Sequence, residues 1–224
     1  MPSLPSEQTQ RARFGTATGE LSTGLLGKVF GLLTFCFAFA GVGGAVGYRY
    51  VEPSAFLPLF LVYIGLIFAV QAVRDRDPLN LVVLYAATFT TGLIFGPIIK
   101  AYVGDGAGQV VLQAAAITGG MTVGLSAYAL TTKRDLSGLR PYLFLALLGF
   151  FVAMIVNIFV GGSVMYGVLS WAGAFLFSVI LVFDVNRTRY VEDTMGNAVV
   201  ITLSVFLDIV NLFMFVLRIL SGRR

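Results

Sequence analysis

The sequence predicts an all-α membrane protein whose seven helices cross a lipid bilayer. The composition supports this class, because 58% of the 224 residues are hydrophobic and only 12% are charged, whereas soluble domains carry about 25% charged residues. Mean hydropathy is correspondingly high, at +0.90. The apolar runs are continuous and long enough to cross the roughly 30 Å hydrocarbon core as helices. Strands of a membrane β-barrel would instead alternate in polarity over about ten residues.

The apolar runs divide the chain into seven predicted spans separated by short polar gaps. The stretch from Pro141 to Phe183 contains no charged residue and is too long for one span at about 1.5 Å per residue. Gly161-Gly162-Ser163 is therefore expected to divide it into the fifth and sixth spans. The predicted spans are 25–48, 55–73, 79–101, 109–130, 141–160, 164–187 and 198–220.

The basic residues account for the net charge of +4 without a nucleic-acid partner, because they lie in the gaps between apolar runs. Ten of the 15 Lys and Arg fall on the side that holds the N terminus, and five on the other. The positive-inside rule then predicts a cytoplasmic N terminus and a C terminus outside. Residues 1–24 would form a cytoplasmic tail, residues 25–221 the membrane domain, and residues 222–224 a short C-terminal tail.

Two pairs of glycines predict close helix packing. Gly43 and Gly47 lie four residues apart in the first span, and Gly120 and Gly124 have the same spacing in the fourth. Small residues at this spacing share one helix face and let neighbouring backbones approach closely in lipid. We therefore expect each pair to face another helix.

Two carboxylates inside the last two apolar runs are the candidate functional residues. Asp184 interrupts FSVILVFDVNRTRY, and Asp208 interrupts ITLSVFLDIVNLFMFVLRIL. One Asp at mid-membrane costs about 2.5–3.5 kcal/mol on insertion scales, so it is expected to face a partner or a water-filled cavity. Two carboxyl groups in contact in a dry site cannot both ionise cheaply and are expected to share a proton. Asn211, one turn from Asp208, is expected to support that acid.

The residue types that are absent or rare exclude several kinds of site. The chain contains no His, which excludes His-based catalysis, His metal ligation and His proton relays. Its one cysteine, Cys36, lies inside the first span, so neither a disulfide framework nor a cysteine metal cluster is predicted. A retinal-binding protein would need a lysine in the last helix, and the last lysine here is Lys133.

Three segments resemble the Bax inhibitor family of small membrane proteins (transmembrane Bax inhibitor motif). They are YALTTKRDLSGL after the fourth span, FSVILVFDVNRTRY in the sixth and LSVFLDIVNLFMFVLRIL in the seventh. The resemblance covers about residues 25–221. It implies seven helices with the last one central, and a pH-sensitive calcium leak rather than an enzyme. Because the resemblance is to bacterial members, it also implies a bacterial inner membrane.

The resemblance also implies roles for individual residues. In bacterial members an aspartate pair on the sixth and seventh helices senses pH and lines the ion pathway, and Asp184 and Asp208 match it. A basic residue at the cytoplasmic end of the second helix acts as a latch, which matches Arg74, with Arg76 as the alternative. Two carboxylates are too few for the six to eight oxygens of a tight Ca²⁺ site. Ca²⁺ is therefore expected as a transported ion held transiently, with no cofactor.

The depths of these residues raise a question of geometry. Arg74 and Asp184 both lie near the cytoplasmic side of their spans, so they are expected to pair. Asp208 lies about ten residues into the seventh span, roughly 15 Å along its axis. For the two acids to meet, the sixth helix is expected to continue past Arg187.

Two other functions fit parts of the sequence. The first is a regulatory membrane protein that binds a membrane protease or a cell-death or stress factor through its tail and loops. The second is an intramembrane aspartyl protease, which also places two aspartates on its sixth and seventh helices. That signature has glycines two before and directly before the second aspartate, where this chain has Phe206 and Leu207. Expected partners are thus the lipid bilayer, Ca²⁺ and, under the first alternative, another membrane protein.

Overall fold

The computed structural model describes residues 23–222, and within them the chain forms seven long helices. All seven are long and apolar enough to cross a membrane, which confirms the predicted fold class. Short 3₁₀ turns precede the second and fifth helices. Most of the tail predicted for residues 1–24 lies outside the described residues. The helices are α1 Thr23–Tyr50, α2 Phe56–Ala72, α3 Leu79–Gly104, α4 Gly108–Thr131, α5 Arg140–Val160, α6 Ser163–Arg187 and α7 Met195–Leu220.

The last helix, α7, is the centre of the bundle and the most buried of the seven. It packs directly against α1, α2, α3, α4 and α6. The ring of Phe215 on α7 also meets Phe150 of α5, with centroids 5.4 Å apart. The apolar residues of α7 therefore face other helices on all sides. This confirms the central position predicted for the last helix.

The closest helix pair is α1 with α3, and glycines make its close approach possible. A Cβ added to Gly43 or Gly47 would collide with the backbone of α3 at Phe89 or Leu93. From the other side, a Cβ on Gly92 would collide with the Ala40 carbonyl of α1. The prediction that Gly43 and Gly47 form a packing face is confirmed.

The same prediction is wrong for Gly120 and Gly124 on α4. No atom outside the helix lies within 4 Å of a Cβ built on either residue, and both are exposed at the bundle surface. Helix α4 packs through a different face, whose buried residues include Ala114, Thr118 and Ala129. Small-residue spacing permits close packing, but it does not by itself supply a partner helix.

The end of the bundle at which α1 begins is held together by contacts between loops, and we call it the N-terminal end. Lys28 near the start of α1 pairs with Asp193 of the α6–α7 loop at 2.9 Å. The first turn of α7 packs on the α2–α3 loop so closely that a Cβ on Gly196 would lie 2.9 Å from the Arg74 carbonyl oxygen. The α4–α5 loop lies at this end too, tied to α6 by Asn186.

Candidate functional site

The structure brings Asp184 of α6 and Asp208 of α7 together. The two helices run antiparallel, and Phe177 stacks on Phe215 with ring centroids 5.7 Å apart. Asp184 lies seven residues after Phe177 on α6, and Asp208 lies seven residues before Phe215 on α7. Their carboxyl groups lie within hydrogen-bonding contact of each other. The antiparallel register of α6 and α7 thus places one acid opposite the other.

The register also shows that α6 need not continue past Arg187. The helix ends at that residue, so the expected continuation is wrong. In the same register Arg187 lies level with Val205, and residues 195–204 of α7 extend about 15 Å beyond the end of α6. The connecting segment 188–194 spans this offset. Asp208 therefore reaches Asp184 because α7 starts further out, not because α6 is longer.

Both acids are withdrawn from solvent and lipid. Asp184 is 7% exposed and Asp208 is 4% exposed. Among the described residues, no group donates a hydrogen bond to Asp208 Oδ2. An ionised carboxylate only accepts hydrogen bonds, so two carboxyl groups bond to each other only when one of them carries a proton. The contact between Asp184 and Asp208 therefore depends on a bound proton.

Two arginines supply positive charge near Asp184. Arg187 has the larger electrostatic effect on this acid and Arg140 the smaller. Arg187 follows Asp184 by three residues on α6, a spacing that places both side chains on neighbouring parts of the helix surface. Arg140 begins α5. Neither arginine was predicted from the sequence as part of the site, although the three-residue spacing is a usable signal for Arg187.

Arg74, the residue matched to the latch, lies in the α2–α3 loop and pairs with its neighbour. Its Nε donates to Asp75 Oδ2 at 3.2 Å, so the expected pairing with Asp184 is not the contact that this structure shows. The reason is depth. The loop packs on Gly196, which is twelve residues before Asp208 and about 18 Å away along α7. Arg76 lies in the same loop and makes no ion pair with any described residue.

Asn211 does not support Asp208 in the expected way. Its Nδ2 donates to the Leu207 carbonyl of its own helix at 2.8 Å. The side chain lines a cavity of about 260 Å³ together with residues of α2, α3 and α5, among them Phe60 and Phe150. Because α7 is central, residues one turn apart can face different neighbours. Asp208 faces α6, whereas Asn211 faces this cavity.

Asn186, two residues after Asp184, holds the end of α6 in place. It is 1% exposed. Its Nδ2 donates to the carbonyls of Ala129 and Arg134 at 3.2 and 3.3 Å, and its Oδ1 accepts from the Leu136 amide at 3.3 Å. These bonds tie α6 to the end of α4 and to the α4–α5 loop. Asn186 therefore fixes the height and rotation at which Asp184 is presented to α7.

The metal-binding capacity of the pair is small. Among the residues that the structure describes, no group of three or more His, Cys, Asp and Glu side chains could hold a metal ion. Asp184 and Asp208 together offer four carboxylate oxygens, and two carboxylates suit brief contact with a hard cation rather than a resident ion.

Seven membrane-spanning helices around a central last helix, with a buried acid pair on the last two, define a polytopic membrane protein. Residues 23–224 match the family model described as inhibitor of apoptosis-promoting Bax1. The chain therefore belongs to the Bax inhibitor family, as the three sequence segments predicted.

Relatives of similar length occur in several bacteria. An uncharacterised membrane protein of Vibrio cholerae is 36% identical over 172 residues, which is 76% of each chain. An uncharacterised protein of Campylobacter jejuni is 33% identical, over 83% of this chain and 80% of its own. One from Pseudomonas aeruginosa is 32% identical over 95% of this chain and 96% of its own. The similarity thus extends over most of the membrane domain.

Proposed function

We propose that this integral membrane protein is a pH-sensitive calcium leak channel, gated by the pair of Asp184 and Asp208. The observation that carries the proposal is the contact of two buried carboxyl groups at membrane depth, one on α6 and one on the central helix. Such acids inside membrane proteins characteristically mark ion pathways and proton relays. The family resemblance described above supports the same function.

The pair has two chemical states that differ in charge. With a shared proton, one carboxyl group donates to the other and holds α6 against α7. Without it, two negative charges lie side by side in a region of low dielectric, where their repulsion is strong. The change in charge acts directly on the contact between two helices. Proton binding is therefore the switch in the proposal, and the α6–α7 contact is the element that it moves.

Calcium fits the ionised state of this pair. Ca²⁺ is a hard cation that prefers oxygen ligands, and two carboxylates offer it charge without a complete coordination shell. An ion held by so few ligands can leave as readily as it enters, which conduction requires. The pair would therefore act on Ca²⁺ as a transient site within the leak pathway.

The arginines set the balance between the two states. In the proposal, Arg187 and Arg140 stabilise the ionised form of Asp184 from α6 and α5. A latch formed by Arg74 or Arg76 stays a prediction from the family resemblance. It would need the α2–α3 loop to approach the acid pair, because that loop packs at the start of α7.

The orientation belongs to the proposal as well. We infer that the N-terminal end of the bundle faces the cytoplasm of a bacterium and that the inner membrane holds the protein. The distribution of Lys and Arg between the two ends supports this orientation.

The test is a flux measurement on the purified protein. Liposomes loaded with a calcium-sensitive dye should take up Ca²⁺ faster with the protein than without it, at one or more values between about pH 5 and about pH 8. Protein-free liposomes and liposomes holding an unrelated seven-helix protein are the controls. Uptake equal to both controls at every pH would overturn the leak function and favour a protein that acts only by binding a partner.

A further inference from the structure

A long groove runs along the lipid-facing side of the bundle between α1 and α4. Helix α1 packs mainly on α3 and α7, whereas α4 packs on α6 and α7, so α1 and α4 stand apart. The space between them has a volume of about 710 Å³. Its floor includes Phe206 and Phe213 of α7, and its lining is almost entirely apolar. We call this space the α1–α4 groove.

Small residues form the edges of the α1–α4 groove, so few side-chain atoms cover its opening. Gly41 and Ala45 on α1 face Ala115 and Gly119 on α4 across the opening, and all four are exposed. The groove therefore opens sideways, toward the hydrocarbon of the bilayer. An apolar groove at this depth is accessible to a lipid chain.

The end of the groove away from the N-terminal end carries two positive charges. Arg49 of α1 and Lys100 of α3 line an adjoining cavity of about 440 Å³. This cavity shares Ala45 and Tyr48 with the groove, so the two spaces are continuous. Arg49 and Lys100 are exposed, and neither is ion-paired with any of the residues 23–222. The nearby Glu52 lines a different cavity.

The dimensions match one chain of a membrane lipid. On α1 the groove extends from Leu33 to Tyr48, about 22 Å at the helical rise. One leaflet of the hydrocarbon core is about 15 Å thick. A chain that begins at the membrane surface, beside Arg49 and Lys100, can therefore lie along the groove for the full depth of its leaflet.

We propose that the α1–α4 groove binds a phospholipid with a net negative headgroup, its phosphate between Arg49 and Lys100 and one acyl chain along the groove. Arginine and lysine are the side chains that bind phosphate oxygens through charge-assisted hydrogen bonds. Basic clusters beside membrane helices select anionic lipids in the same way. A zwitterionic headgroup carries a positive charge of its own, which would lie close to the charges of Arg49 and Lys100. It would therefore bind more weakly than an anionic headgroup.

The experiment measures lipid binding and does not depend on ion flux. The protein would be purified in a mild detergent, mixed with increasing amounts of phosphatidylglycerol or phosphatidylcholine, and examined by native mass spectrometry. We expect one phosphatidylglycerol to bind at least tenfold more tightly than phosphatidylcholine. Replacing both basic residues (Arg49→Gln with Lys100→Gln) should remove this preference. Both side chains are exposed, so the variant should keep the parent's helical circular dichroism.

Two further variants test the groove and the specificity of the charges. Gly41→Phe narrows the groove away from Arg49 and Lys100 and leaves both charges in place, so it should weaken binding of the lipid about as much as loss of the charges. Lys133→Gln removes an exposed charge at the N-terminal end and should leave the binding unchanged.

Four results would contradict the proposal. The first is equal retention of phosphatidylglycerol by the parent and the double charge variant. The second is unchanged binding in Gly41→Phe, which would show that the charges act without the groove. Displacement of the lipid by millimolar inorganic phosphate would indicate a simple anion site. A dimer lost in Gly41→Phe would show that a second copy of the chain occupies the groove.

Discussion

A carboxyl group at membrane depth is stabilised by a hydrogen-bond partner or by a bound proton. Asp184 and Asp208 are each other's partner, and together they share one proton. Their contact explains how two acids of 7% and 4% exposure are accommodated in an apolar bundle. Arg187 and Arg140 add positive charge on one side of the pair, at Asp184. The two acids are therefore not equivalent, since the charge with the main effect on Asp208 is that of Asp184 itself.

Arg187 is predicted to tune the pH response. Its charge stabilises the ionised form of Asp184, so Arg187→Gln should move the midpoint of pH-dependent Ca²⁺ uptake upward by about one pH unit. The comparison variant is Arg74→Gln, because Arg74 is the predicted latch but pairs with Asp75 about 18 Å along α7 from Asp208. Proteoliposome uptake would be recorded for both variants. A larger shift in Arg74→Gln than in Arg187→Gln would favour the latch predicted from the family.

Asp135, which lies outside the membrane spans, gives a prediction about how the stability of the fold depends on pH. Hydrogen bonds from the Ser137 hydroxyl and then from the Ser137 amide hold the pKa of Asp135 below its usual value. A group whose pKa is lower in the folded state stabilises the fold above its unfolded pKa of about 3.9, and this contribution is lost as pH falls through the folded pKa.

The corresponding variant is Asp135→Asn, which imitates the protonated acid. Its melting temperature should be slightly below that of the parent at about pH 7, and the difference should shrink as the pH falls below about 3.9 and through the lower pKa of the folded state. Thermal unfolding followed by circular dichroism in detergent provides the measurement. A difference that persists or grows at acid pH would show that Asp135 acts through something other than its charge.

At the scale of helices, the two glycine pairs show that the same four-residue spacing does not always produce a contact with another helix. On α1 and α3, four glycines allow backbone to approach backbone, because an added Cβ would collide with the opposite helix at Gly43, Gly47, Gly92 and Gly96. On α4 the same spacing faces outward and meets nothing within 4 Å. The packing role of a small residue thus depends on which face of its helix is buried.

This contrast predicts opposite results for one substitution at two sites. Gly92→Val forces α1 away from α3 and should lower the free energy of unfolding by about 2–3 kcal/mol. Gly120→Val places the same side chain on an open surface and should change it by less than about 0.5 kcal/mol. Chemical denaturation in mixed micelles would compare the two. Equal destabilisation of the two variants would contradict the role assigned to the α1–α3 contact.

The features that the sequence predicted well are those set within one segment. The length and polarity of each apolar run determine whether it can span the bilayer, so all seven spans were predictable. The contact of Asp184 with Asp208 followed from the cost of leaving either one alone. The distance of Arg74 from the pair, and the closeness of Arg140, depend on the heights at which the helices start. Those heights are set by loops such as 188–194 and by Asn186, which no single run reveals.

For the molecule as a whole, the central helix connects the proposed sites. Helix α7 carries Asp208 toward α6, and it also forms the floor of the α1–α4 groove through Phe206 and Phe213. Its first turn contacts the α2–α3 loop. A change in the position of α7 would therefore alter the geometry of the acid pair, the groove and the N-terminal end together.

Orientation is a prediction about the whole molecule. Seven spans and an excess of Lys and Arg at the N-terminal end predict that the two termini lie on opposite sides of the membrane. Alkaline phosphatase fused after residue 224 should be active, whereas green fluorescent protein fused there should be dark. A second fusion in the α4–α5 loop should give the reverse pattern. A fluorescent C-terminal fusion would contradict the predicted orientation.

The most direct test of the central claim is the pH dependence of Ca²⁺ uptake in four proteins. The parent, Asp184→Asn, Asp208→Asn and the double variant would be compared in dye-loaded liposomes between about pH 5 and about pH 8. If the acids act as one unit, each single variant should lose the pH dependence, and the double variant should resemble either one, because residues that act together are non-additive. Retained pH dependence in both single variants would contradict the account.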